Sequence, residues 1–135
     1  MMRRSVGLVR AVAASASVLL MASCGGGTKE DYAAKAAKDY YDNLVAGRYI
    51  DYVNGIADGD SLPPSYKEQL LVNAKQFMAQ QKEEHGGIVD VRTISSQVDS
   101  LHGRTDVFLL ICFTDSTKEE VVVPMVEHGG VWKMK

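Results

Sequence analysis

His85-Gly86-Gly87-Ile88-Val89-Asp90-Val91 is where the chain changes period. Before it, apolar residues recur every three to four positions, the spacing of a helix with one buried face. After it they alternate, imperfectly, as in a strand. The two glycines punctuate the change, and His85 stands at the end of the helical part, where a cation favours the helix dipole. Helices first and a run of strands after them predict an α+β domain, its helices on one face of an antiparallel sheet.

Backwards from Gly86, the residues Tyr66, Leu70, Leu71, Ala74, Phe77 and Met78 form the apolar stripe of one long helix. Pro63 and Pro64 open it, and Ser65-x-x-Glu68 is a candidate capping box. Ahead of it, Ala57-Asp58-Gly59-Asp60-Ser61 has turn chemistry. Its acids are too few for a calcium loop, and the bidentate glutamate such a loop needs is missing. Arg48 to Ile56 reads as a short helix with Tyr49, Tyr52, Val53 and Ile56 on one face. A first helix is predicted from about 29 to 46. Thr28 is its cap residue, with Glu30 and Asp31 in the first turn and Gly47 as its stop. Its stripe is Ala33, Ala36, Ala37, Tyr40 and Leu44, and the alanines allow close approach to whatever it packs on.

Forwards from Gly87, Ile88 to Val98 is a first strand in which Ile94 falls out of register, which predicts a bulge near Thr93. Thr105 to Thr114 is apolar on both faces, as a central strand should be. Cys112 lies inside it and reads as a small buried hydrophobe, since a reactive thiol wants an electropositive, partly exposed setting. Glu119 to Val126 is a third strand. Its Pro124 must turn the missing N–H away from the ladder or sit at a bulge. Val131 to Lys135 closes the sheet. The turns between strands are short, so about four strands should run as a simple meander.

The N-terminal stretch Val18-Leu19-Leu20-Met21-Ala22-Ser23-Cys24-Gly25-Gly26-Gly27 resembles the lipobox of bacterial lipoproteins, with Met21 where leucine is usual. Arg3, Arg4 and Arg10 supply a positive n-region without an acid, and Ala11 to Leu20 an apolar h-region. That run is too short to span a bilayer. The competing reading is an ordinary signal that ends in small residues, with Cys24 there by chance. The resemblance implies a signal over 1–23, a lipidated Cys24 and a flexible spacer over 24–28, and a domain over 29–135. It places the protein in the cell envelope, lipid-anchored at the outer membrane and facing the periplasm or the cell surface. Gly25, rather than aspartate, follows Cys24 and disfavours retention at the inner membrane.

The whole chain has 15 basic and 17 acidic side chains among 135 residues, mixed along its length. That excludes the basic stripe of a nucleic-acid binder. Loss of residues 1–23 would remove three arginines and leave a more acidic chain.

Two motifs resemble nuclear-transport-factor-like, cystatin-like domains. Ala46-Gly47-Arg48-Tyr49 matches their opening, a glycine and an aromatic between two helices. Glu127-His128-Gly129-Gly130-Val131-Trp132-Lys133-Met134 is similar to their last hairpin. The resemblance covers roughly 30 to 135. It is nearest to small bacterial lipoproteins of the lumazine-binding-like kind or of unassigned activity. It implies a strongly curved sheet wrapped around helices, leaving a cone-shaped pocket. That superfamily contains enzymes, carriers and structural modules, so the fold says little about function.

No catalytic set is found in the sequence. His85, His102 and His128 each precede a glycine, at a helix end or a turn, and no two stand at metal-ligand spacing. No phosphate loop or cofactor motif is present. Tyr40, Tyr49, Phe77, Phe108 (or Val107) and Trp132 are the candidate ligand-binding residues, an apolar and tyrosyl lining for the cone. Trp132 is expected to pack between the sheet and the first helix, near Tyr40 and Leu44. The expected function is non-catalytic binding of a small molecule or an envelope protein, with the membrane as a partner through Cys24. Two alternatives stand beside it. One is a small isomerase or dehydratase with a polar cone. The other is a homodimer joined through the apolar second face of the central strand.

Overall fold

The computed structural model describes residues 27–58 and 61–135, so Cys24 and the signal lie outside the described residues. Three helices precede four strands: α1 (Lys29–Val45), α2 (Tyr49–Val53), α3 (Pro64–His85), β1 (Ile88–Asp99), β2 (Arg104–Phe113), β3 (Lys118–His128) and β4 (Val131–Met134). The strands form one antiparallel sheet in the order β1-β2-β3-β4, the expected meander. The architecture is α+β, with helices against a curved antiparallel sheet as in the nuclear-transport-factor-like cone. Among the described residues no helix is long and apolar enough to cross a membrane.

The first helix starts where its cap residue predicts. The Asp31 amide donates to Thr28 Oγ1 at 3.2 Å, and the Thr28 amide donates to Asp31 Oδ2 at 3.1 Å. Two donors that the helix geometry leaves orphaned are thereby satisfied reciprocally. Beyond the cap, Ala33 and Ala37 are fully buried against the sheet. They form one core with Val91, Val107, Leu109, Ile111, Phe113, Val123, Met125 and Met134. Methyl-sized side chains let the helix backbone approach the sheet, and the larger strand residues fill the space beneath it. Side chains therefore fill the cone along the middle of α1.

Register explains which residues line that core. Val107 pairs with Val123, Leu109 with Val121 and Thr105 with Met125, all on the inner face. Phe108, Leu110 and Cys112 alternate to the outer face, opposite Val122, Glu120 and Lys118. Phe108 thus points away from the cone while Val107 points into it, which resolves the alternative left open between them. Cys112 is free and buried, on that outer face. In β1 the register shifts between Thr93 and Ser95, where Ile94 predicts a bulge, and again between Ile88 and Asp90.

Pro124 sits inside β3. Its carbonyl accepts from the Lys135 amide at 2.8 Å, on the β4 side, and its nitrogen faces the same way. The β3–β4 ladder stops at the pair Met125–Met134, so no strand bond to β2 is lost. The chain after α2 then does something the turn chemistry does not predict. Gly55 O accepts from the Met134 amide at 2.7 Å, and Ala57 N donates to Met134 O at 2.6 Å, a parallel bridge along β4. Gly55 also lies under the Tyr40 ring, where a Cβ would collide with it.

The capping box expected at Ser65–Glu68 does not form. Pro63 is the cap position of α3 and gives no side-chain bond. The other end of α3 is held more firmly. Gly86 is left-handed at φ 81°, and the Asp115 amide donates to His85 O at 3.1 Å. The Thr114 amide donates to Gly87 O at 2.9 Å.

Candidate functional site

Two clefts flank the filled core, one at each end of α1. The first is the mouth of the cone, about 340 Å³, beside the start of α1. Its floor is the inner face of the sheet where the strands end: Val98, Thr105, Met125 and Trp132. Lys29 from α1, Asp99 and Arg104 from the first hairpin and Glu127 from β3 make a charged rim. Thr105 is 1% exposed, a polar side chain buried in that floor. Asp99 is held below the usual carboxylate range, first by the hydrogen bond from His102 Nδ1 at 2.8 Å and more weakly by Arg104.

The second cleft, about 280 Å³, lies between the helices at the other end of α1. Tyr41 and Leu44 of α1, Tyr52 and Ile56 around α2, and Leu70, Asn73, Ala74 and Phe77 of α3 line it. Tyr41 and Tyr52 meet edge to face, with ring centroids 5.8 Å apart and planes at 88°. Burial first, and then the neighbouring Tyr52, push the Tyr41 phenol well above the usual tyrosine range. Burial also raises Tyr52, opposed by its contact with Tyr41. Both phenols are therefore neutral at any physiological pH, and the polar groups of this cleft are hydroxyls and one amide.

The five candidate ligand residues do not share a lining. Phe77 belongs to the helix cleft and Trp132 to the cone mouth. Tyr40 is spent on structure: its hydroxyl donates to Trp132 O at 2.7 Å and its ring covers Gly55. Tyr49 lies on a separate surface hollow, with the Lys75 ammonium 6.0 Å from its ring centre. Phe108 is on the outer face of the sheet. Trp132 packs on the core, and its backbone carbonyl, not its ring, takes the Tyr40 hydroxyl, whereas Leu44 lines the other cleft. Sequence reasoning passed over Tyr41, Asn73 and Thr105. The signal for Tyr41 is its place at the edge of the α1 stripe, three positions before Leu44.

One cluster looks like a nucleophile triad and is not built as one. His85 Nδ1 is 2.9 Å from Asp115 Oδ2 and 3.2 Å from Thr117 Oγ1, and Thr117 Oγ1 itself donates to Asp115. A relay needs the acid and the nucleophile on opposite ring nitrogens. Here both converge on Nδ1, and the ring stacks on Phe113 with centroids 4.2 Å apart. The Thr117 hydroxyl, the Thr117 amide and then His85 hold Asp115 down at about 2. The cluster latches α3 to the β2–β3 turn. Among the described residues no group of three His, Cys, Asp or Glu side chains is placed to hold a metal.

A meander sheet with α1 laid across it and clefts at the helix ends defines the fold as nuclear-transport-factor-like. A solved Campylobacter jejuni structure, provisionally described as an NTF2-like transpeptidase, superposes with a TM-score of 0.60 at 12% identity, covering 74% of this chain and 94% of that one. At that identity the likeness is one of fold. No family model matches the chain, and no curated protein does.

Proposed function

We propose that this is a lipid-anchored cell-envelope protein whose domain binds a small, largely apolar molecule in the helix cleft without turning it over. The anchor is the lipid on Cys24, supported by the basic n-region, the apolar run and the small residues ahead of that cysteine. The reading puts the domain at the outer membrane, akin to small lumazine-binding-like lipoproteins. The observation that carries binding is the lining of the helix cleft. Apolar side chains surround it, with the Tyr41 and Tyr52 hydroxyls and the Asn73 amide as the orienting groups. Its volume suits a single-ring or two-ring molecule. A transpeptidase would need an accessible, activated nucleophile; Cys112 is buried on the other face of the sheet, and Thr117 is held by Asp115.

The test uses anilinonaphthalenesulfonate as a probe of the native chain. Saturable one-to-one binding that weakens in Phe77→Ala and in Asn73→Ala supports the reading. Binding that neither substitution touches, or none at all, sinks it. Mass spectrometry of the mature N-terminus checks the anchor separately. A second reading, pairing of two copies through the outer face of the sheet, rests on Phe108 opposite the exposed Val122. Val122→Glu would then shift the sedimentation coefficient from dimer to monomer.

A further inference from the structure

The cone mouth, the first hairpin and the start of α1 lie at one end of the molecule. Ser100 and Gly103 of the β1–β2 turn line the same cleft as Lys29, the first residue of α1. At the tip of that turn Leu101 is 88% exposed, a large apolar side chain held out into solvent. The turn around it is rigid. The His102 amide donates to Asp99 Oδ1 at 3.3 Å, the His102 ring contacts Asp99 Oδ2, and Arg104 is fastened to Asp106 at 2.9 Å. An exposed leucine on a braced turn has no structural purpose that its neighbours supply.

Chain length decides what it faces. Lys29 is five residues after Cys24, and five residues span at most about 18 Å even when fully extended. A lipid on Cys24 therefore keeps this end of the domain within about 18 Å of the bilayer. The opposite end of α1, Val45, is 16 positions further on, about 24 Å away along the helix.

We propose that the cone-mouth end docks on the bilayer, with Leu101 entering the interface and the rim of the cleft meeting zwitterionic headgroups. Charge selects the surface. Lys29 and Arg104 balance Asp99 and Glu127 on the cleft lining, and Glu30, Asp31 and Asp106 close by add negative charge, so this end has no net attraction for anionic lipid. Opposite charges on one rim suit a headgroup that carries both a phosphate and an ammonium. Trp132 in the floor is the amphipathic ring that such a boundary favours. Docking also has a reason to be needed. The acyl chains of a lipidated cysteine hold a protein at the membrane without orienting it, and apolar insertion by the domain fixes orientation. The orientation rests on the proposed anchor at Cys24, whereas the docking surface stands on Leu101 and the rim.

Trp132 is the sole tryptophan and reports on the cleft directly. The full chain, matured in a bacterial host, is mixed with phosphatidylcholine vesicles carrying a spin label at the headgroup or at mid-chain. Docking predicts strong quenching of Trp132 by the headgroup label and weak quenching by the mid-chain label, little changed by adding phosphatidylglycerol. Leu101→Asp should reduce the quenching severalfold. Ile50→Asp, at a 64% exposed residue beyond the far end of α1, should leave it alone. An acylated chain that floats with vesicles yet shows no quenching, or quenching indifferent to Leu101→Asp, overturns docking. A chain without lipid on Cys24 that is still quenched at high lipid concentration sinks the anchor and upholds docking. A chain with neither lipid nor quenching sinks both.

Discussion

The two long helices have opposite relations to the rest of the molecule. α1 has 17 residues and buries Ala33, Ala37 and Leu44 almost completely. α3 has 22 residues and buries only Ala74 and Gln81. It leaves Tyr66 51% and Phe77 39% exposed. Length does not measure a helix's share of the core. α1 lies across all four strands, so its alanines bring two backbones together over the whole sheet. α3 reaches α2, the end of β1 and a little of α1, so it serves as a wall and leaves a cleft beside it. The packed helix carries stability and the wall carries the opening.

The sharpest way to break that contrast is to remove volume on each side of it. Leu109→Ala, directly beneath α1, should cost about 2–5 kcal/mol in urea unfolding. Leu71→Ala on the half-buried face of α3 should cost clearly less. Equal losses would mean that α3 is part of the same core. Adding volume comes next. Ala37→Leu forces the helix off the sheet and should cost about 1–3 kcal/mol, although leucine is itself a good helix former.

The latch at the end of α3 gives a pH-dependent test. Asp115 sits at about 2 in the folded chain against an ordinary 3.8. A depressed carboxylate contributes stability that is fully present above pH 3.8 and lost as pH falls through 2. Asp115→Asn should remove that part of the acid limb from the melting curve. An unchanged acid limb would show that α3 is held by backbone bonds alone. The smallest effect is expected at Phe77→Ala. Its side chain lines an opening and supports little else, so the loss should be about 0.5 kcal/mol. A loss as large as that at Leu109 would show that the helix cleft is closed in solution.

Most of the fold was legible because local signals agree with the tertiary structure. Thr28 caps α1, Gly86 ends α3 in the left-handed region, and Ile94 marks the bulge where its phase slips. What failed did so for non-local reasons. Tyr66 and Phe77 have helical spacing with Leu70 and Ala74, and nothing in that spacing tells which helix wins the sheet. Once α1 occupies the inner face, α3 keeps only a narrow contact, and Gln81, outside the expected stripe, becomes buried there. The pairing of Gly55 with Met134 joins residues 79 positions apart, and Gly55 reads locally as the end of a short helix. The candidate site suffered most. Five aromatic and apolar residues were assigned to one lining, and the alternation of β2 and the separation of two clefts by a filled core divide them.

That pairing along β4 bears on crowding. Where copies of a chain meet at high concentration, an open strand edge recruits another chain's backbone. Gly55 and Ala57 already occupy the outer edge of β4. At the other end of the sheet, β1 is interrupted by two bulges that spoil the straight ladder a newcomer would need. The sheet is thereby protected at both edges against pairing with another copy, and contacts between copies are left to side chains.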